Sequence, residues 1–100
     1  MITQKSKEEI EILREGGRRH AEILRTLADM VKPGISTLIL EEEAQRLIHE
    51  GADLPAHLGY TPKGAPRPFP AALCISINDE IVHGIPNEVP KVLNQGDIVS

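Results

Sequence analysis

Apolar residues recur at Ile10, Leu13, Gly17, Ala21, Leu24, Leu27 (or Ala28) and Val31. Steps of three and four residues trace one face of a helix. Ser6-Lys7-Glu8-Glu9 stands just ahead of this run with the spacing of a capping box. There the serine hydroxyl accepts from the N3 amide and the glutamate reaches back to the cap amide. Pro33-Gly34 ends the pattern, because proline cannot continue a helix. Gly16-Gly17 sits inside it, at a cost of about 1 kcal/mol per glycine against alanine. Close approach of another backbone is the expected return. A second helix is predicted from Ser36 or Thr37, either of which can cap it. Its buried stripe is Leu40, Ala44, Leu47 and Ile48, and Gly51 is placed at C′. Glu41, Glu42 and Glu43 fall in or near its first turn, where carboxylates suit the helix dipole. Adjacent helix positions point apart, so the three are expected on a solvated face rather than around one cation.

The pattern then changes. Residues 53–70 carry Pro55, Pro62, Pro66, Pro68 and Pro70, which excludes regular helix and central strand. Loops this long in compact domains tend to be functional. Leu73-Cys74-Ile75-Ser76-Ile77 reads as a strand, Asn78-Asp79 as a turn and Glu80-Ile81-Val82-His83 as a second strand. The pair predicts a β-hairpin. Gly84-Ile85-Pro86 leaves it, Gly96-Asp97 turns, and Ile98-Val99-Ser100 begins a further strand whose edge is expected to lack a partner. The fold class expected from these elements is α+β, two helices plus a hairpin.

Composition narrows the function classes. With 100 residues and 40% apolar content, the chain is at most one small folded domain. One Tyr, one Phe and no Trp leave the core to aliphatic side chains. A formal charge of −4 gives no footprint for nucleic acid. Arg14, Arg18, Arg19 and Arg25 share their helix with five glutamates, as expected of a mixed, solvated face. No apolar window approaches a membrane span, and the polar stretch through Glu9 does not read as a signal peptide. A single cysteine, Cys74, fits a reducing compartment such as the cytoplasm.

Few residues carry chemistry. His83 ends the predicted hairpin just before Gly84, where an imidazole could sit at a sheet rim or could equally be a half-buried structural histidine. His20 and His49 lie on helices without a ligand partner at i+3 or i+4, and His57 lies in the proline-rich loop. There is no zinc-finger spacing and no HExxH. No glycine-rich loop follows a strand. Cys74, inside an apolar stretch, reads as an inert thiol.

The order of the motifs adds what no single residue does. Lys32-Pro33-Gly34-Ile35-Ser36-Thr37 is followed by Leu58-Gly59-Tyr60, Phe69-Pro70 and Cys74-Ile75-Ser76-Ile77-Asn78. Val82-His83-Gly84-Ile85-Pro86 and Gly96-Asp97-Ile98-Val99 come next. From about Lys7 to Ser100 this series resembles the N-terminal part of type I methionine aminopeptidases, the "pita-bread" metallopeptidases. The resemblance implies that residues 1–100 are the N-terminal part of a single catalytic domain. That domain would remove the initiator methionine of nascent polypeptides in the cytoplasm, with the ribosome as a possible partner.

It also implies roles. His83 matches a histidine that donates to the substrate or the tetrahedral intermediate. Tyr60, Phe69 and Cys74 match the pocket for the methionine side chain. The loop between Tyr60 and Phe69 is longer than in compact members, and His57 stands where some members carry a small residue. The family holds two divalent metal ions (cobalt, manganese, iron or zinc) on two Asp, one His and two Glu. The first of those Asp residues would fall just beyond Ser100, and Asp29, Asp53, Asp79 and Asp97 match no ligand position. The resemblance thus implies a substrate-side wall that holds no metal alone and is inactive without the remainder of the enzyme. Alternatives are a metal-free binding module of the same fold and a merely structural helical-hairpin domain.

Overall fold

Ser6 caps the first helix as its spacing predicts. In the computed structural model, which describes residues 1–100, α1 is Lys7–Met30. The Glu9 amide donates to Ser6 Oγ at 3.2 Å and the Ser6 amide to Glu9 Oε2 at 2.7 Å. The helix stops before Pro33, and Gly34 turns the chain at φ +93°, a region open mainly to glycine. Helix α2 is Thr37–Glu50, and its N-cap is Ser36, whose hydroxyl accepts from the Leu38 amide. At its C-terminus the Asp53 amide donates to the Ile48 carbonyl and the Ala52 amide to the His49 carbonyl. This is a Schellman pattern. Its left-handed residue is Ala52, at φ +57°, while Gly51 keeps helical angles. The C′ position therefore falls one residue later than the glycine suggests.

The core is small and one-sided. Leu40, Ile75, Ile77 and Leu93 form its centre, with Met30, Ile35, Leu73 and Val99 packed around them. Helix α2 contributes Leu40 and Ala44, and α1 buries only Leu27. Ile10, Leu13, Leu24 and Val31, expected on a buried stripe, remain between 40% and 60% exposed. A Cβ on Gly16 or Gly17 would meet no heavy atom within 4 Å, so no close backbone approach accounts for them. Arg19 does more than solvate its face. It donates to the Gly51 carbonyl at 3.0 Å and to Asp53, linking α1 to the end of α2.

The predicted hairpin does not form. Asn78-Asp79 does turn, with the Glu80 amide donating to the Ile77 carbonyl at 3.1 Å. A two-residue hairpin closed there would set Ile75 opposite Val82, because antiparallel positions sum to a constant. Instead Ile75 donates to the Gly84 carbonyl at 2.9 Å. Two extra residues are thereby pushed out of register, and Ile81 and Val82 face solvent at 88% and 66% exposure. Residues 76–78 pair with the chain end instead. Ser76 and Ser100 exchange both backbone bonds, at 2.8 and 3.0 Å, and the Asn78 amide donates to the Ile98 carbonyl. The Ile98-Val99 edge thus has a partner, contrary to expectation. These contacts form isolated antiparallel bridges, Ile77 with Val99 and Ser36 with Val92, rather than regular strands.

Candidate functional site: a cavity around residues 57–85

Glu41 positions the wall of the site. It is only 1% exposed. Its Oε1 accepts from the Ala72 amide at 2.6 Å and from Gln45 Nε2 at 2.7 Å, and its Oε2 accepts from the Leu73 amide at 2.9 Å. Three donors offset the desolvation of a buried carboxylate and fix the backbone leading into Cys74. A solvated face was expected for Glu41. The helical period holds the signal that was missed: residues 37, 41, 44 and 48 fall on one face.

A second clamp holds the segment beyond His83. The Thr37 hydroxyl, 2% exposed, donates to the Pro86 carbonyl at 2.9 Å and accepts from the Lys91 amide at 3.0 Å. The Gly84 amide donates to Ser76 Oγ at 3.1 Å. A Cβ on Gly84 would lie 2.0 Å from the Ile75 carbonyl oxygen, so only glycine allows this approach. Between the clamps His83 takes φ +59°, a conformation rare for a non-glycine residue. It carries its exposed imidazole to within 3.9 Å (Nδ1) of Cys74 Sγ.

The proline-rich loop supplies the opposite wall. The Gly59 amide donates to the Phe69 carbonyl at 2.9 Å and the Phe69 amide to the Tyr60 carbonyl at 2.8 Å, closing the loop where the chain's two aromatic residues stand. Both guanidinium ends of Arg67 pair with the Glu88 carboxylate. The pairing raises the arginine and holds the Glu88 carboxyl below its ordinary value. His57 meets Phe69 edge-on, with ring centres 6.2 Å apart.

The result is a cavity of about 530 Å³, lined by Tyr60, Phe69, Cys74, His83, His57 and Ile85 and completed by the loop's prolines. All four predicted site residues line it, together with His57. His20 and His49 do not. A second cavity, about 520 Å³ between α1, the end of α2 and residues 53–57, meets Cys74 from the other side. It lacks Tyr60, Phe69 and His83, so the first is the better candidate for chemistry. Burial, and then the nearby Glu41 charge, push the Cys74 thiol above its ordinary value, keeping that wall neutral. Asp97 is committed elsewhere. It accepts from Asn78 Nδ2 and the Asn94 amide, which hold its carboxyl low and join two turns. No three His, Cys, Asp or Glu side chains converge. The residues present therefore do not fit a metal pair.

With this geometry in hand, the comparisons with known proteins are specific. The chain belongs to metallopeptidase family M24, which it matches over residues 11–100. It is 47% identical over 95 residues to a methionine aminopeptidase of Aquifex aeolicus, covering 95% of this chain and 36% of that protein. It is 40% identical over 100 residues to methionine aminopeptidase 1 of Bacillus subtilis, covering 37% of that protein. The crystal structure of methionine aminopeptidase from Rickettsia prowazekii superposes with a TM-score of 0.84 at 37% identity, over 99% of this chain and 37% of that one. A methionine aminopeptidase structure from Streptococci gives 0.89 at 37% identity, over 99% of this chain and 34% of that one. The chain therefore spans little more than a third of the length of the relatives it matches. Its architecture is that part of their fold. No helix is long and apolar enough to cross a membrane.

Proposed function

We propose that this chain forms the substrate-side wall of a methionine aminopeptidase, receiving the first residue of a newly made protein. The observation that carries the reading is the convergence of Tyr60, Phe69, Cys74 and His83 on one cavity. An unbranched thioether suits a pocket with aromatic, proline and sulfur walls. The neutral Cys74 thiol adds polarizable surface without charge. His83 stands at the same cavity with both ring nitrogens free of any stronger partner. A neutral imidazole N–H donating there can orient the substrate carbonyl and stabilise charge that develops on it. The whole protein would act on initiator methionine in the cytoplasm, close to the ribosome where nascent chains emerge. The divalent ions that the family's chemistry uses would be bound by residues other than these, and the role assigned to this chain is confined to binding and orientation.

A titration of the purified chain with a Met-Ala-Ser peptide tests this. The ring resonances of Tyr60 and Phe69 and the amide of Cys74 should shift, and an Ala-Ala-Ser peptide should leave them in place. Equal response to both peptides, or a response confined to the α1 cavity, would sink the reading of this site. In the same samples, added cobalt or manganese should produce no release of methionine. Metal-dependent turnover above background would overturn the confinement to binding.

A further inference from the structure

The two walls of the cavity are held very differently. Cys74 and His83 stand on segments clamped by Glu41, Thr37 and Ser76. The facing wall is the loop 61–68, of which Pro62, Ala65, Pro66, Arg67 and Pro68 line the cavity. Its base is fixed. Gly59 and Tyr60 pair with Phe69, and Asn87 Nδ2 donates to the Pro70 carbonyl at 2.9 Å. Its body is stiff. Pro62, Pro66 and Pro68 lock their own φ and restrict Thr61, Ala65 and Arg67 before them. The Ala65 amide closes a turn on the Pro62 carbonyl at 2.9 Å. The one polar tie from residues 61–68 to the rest of the protein is the Arg67 guanidinium on the Glu88 carboxylate, with one of its two bonds at 2.8 Å. Glu88 follows Pro86 and Asn87, which are bonded to Thr37 and Pro70, so it is a firm post for the arginine.

A stiff wall with a fixed base and a single ion pair near its free end has two states, pair made and pair broken. An exposed pair biases such an equilibrium by about fivefold at most, and salt reduces the bias. With the pair made, the prolines face Cys74 and His83 at one defined width. With it broken, nothing polar sets that width. Given the reading of this cavity as a methionine pocket, on which this rests, we propose that Arg67 and Glu88 are positioning residues. Their pair is a catch that holds the proline loop as the closing wall of the pocket. It sets how firmly an unbranched first residue is held and how well a bulkier one is refused. Both residues act through the loop, not on the peptide bond.

Peptide titrations of the purified chain, read from amide shifts, test this. Glu88→Gln and Arg67→Gln should each weaken Met-Ala-Ser by about threefold to fivefold. Phe-Ala-Ser should bind no more weakly than before, so the preference for methionine falls. Removing both charges should weaken binding no further than removing one, since the two act as a unit. In the unmodified chain, salt raised toward about 1 M should weaken Met-Ala-Ser by a similar factor. It should also move the amides of Gly64 and Ala65 but not those of Ala72 and Leu73, and Glu88→Gln should abolish that loop response. Both side chains are exposed, and unmoved amides at Leu40 and Ile77 show that each variant keeps the fold. Unchanged binding and preference in Glu88→Gln, additive losses in the double variant, or loop amides that ignore salt would each overturn the catch while leaving the pocket intact. Failure of Met-Ala-Ser to bind the unmodified chain would instead sink the pocket reading, and the catch with it.

Discussion

At the scale of single residues, the site is built by groups that never enter it. Gly84 is the sharpest case. A methyl group there would overlap the Ile75 carbonyl oxygen, which is backbone and cannot swing aside. Gly84→Ala should therefore lower stability by about 3 kcal/mol, the upper range for overpacking, seen as a lower urea midpoint. A midpoint within experimental error of the original would mean that the segment moves freely. Glu41 is the second case. Glutamine there keeps one acceptor but turns an NH₂ group toward a backbone amide. Glu41→Gln should cost about 2 kcal/mol and loosen residues 71–74, read as faster amide exchange at Ala72 and Leu73. The two residues differ in legibility. The motif around His83 pointed to Gly84 as part of a site, although not to the carbonyl it touches. Glu41 was hidden among three glutamates, because composition marks such a run as solvated while only helical phase separates its buried member.

At the scale of elements, local chemistry was legible and pairing was not. The Ser6 capping box, the stop at Pro33-Gly34 and the Ser36 cap are short-range features, and their residues name them. The hairpin failed for a long-range reason. Ser76 Oγ takes the Gly84 amide, Ser100 takes the Ser76 backbone, and the register from the Asn78-Asp79 turn cannot continue. Strand signals in 73–77 and 80–83 describe apolar content, which these competing bonds redirect. The α2 terminus shows a milder conflict. Ala52 bears a left-handed conformation that costs a residue with a Cβ about 1–2 kcal/mol. Glycine would relieve it while gaining freedom in the unfolded chain. Ala52→Gly should raise stability by about 0.5 kcal/mol, measured as a small upward shift in the thermal midpoint. A downward shift would show that the strain is already relaxed.

At the scale of the whole molecule, charge links parts that share little core. Helix α1 buries only Leu27 and is tied down partly by Arg19, while the loop over the cavity is held to residue 88 by Arg67. Several carboxylates consequently sit below the ordinary value of 4.5. Glu15 is lowered to about 2, first by bonds from Arg18 and then from Arg19. Glu43 is lowered by Arg46, Glu80 by Lys91 and Glu88 by Arg67. A depressed folded-state value means that the unfolded chain binds protons first as pH falls. The stability these groups confer is fully present above about pH 4.5 and is lost as pH falls below it, in the case of Glu15 down toward about pH 2. Glu15 and Glu88 are exposed and Glu43 and Glu80 half-buried, and none is shut off from water, so each pair is individually weak and screened by salt. Asp97 differs, because neutral donors on Asn78 and Asn94 hold it low. Urea midpoints should be flat from neutral pH down to about 5 and fall below 4.5. High salt should flatten that fall by weakening the ion pairs, and Asn78→Ala should remove a part that salt leaves. A decline that begins near neutral pH would assign the acid sensitivity to histidines instead, and with it the hold on α1 and the loop.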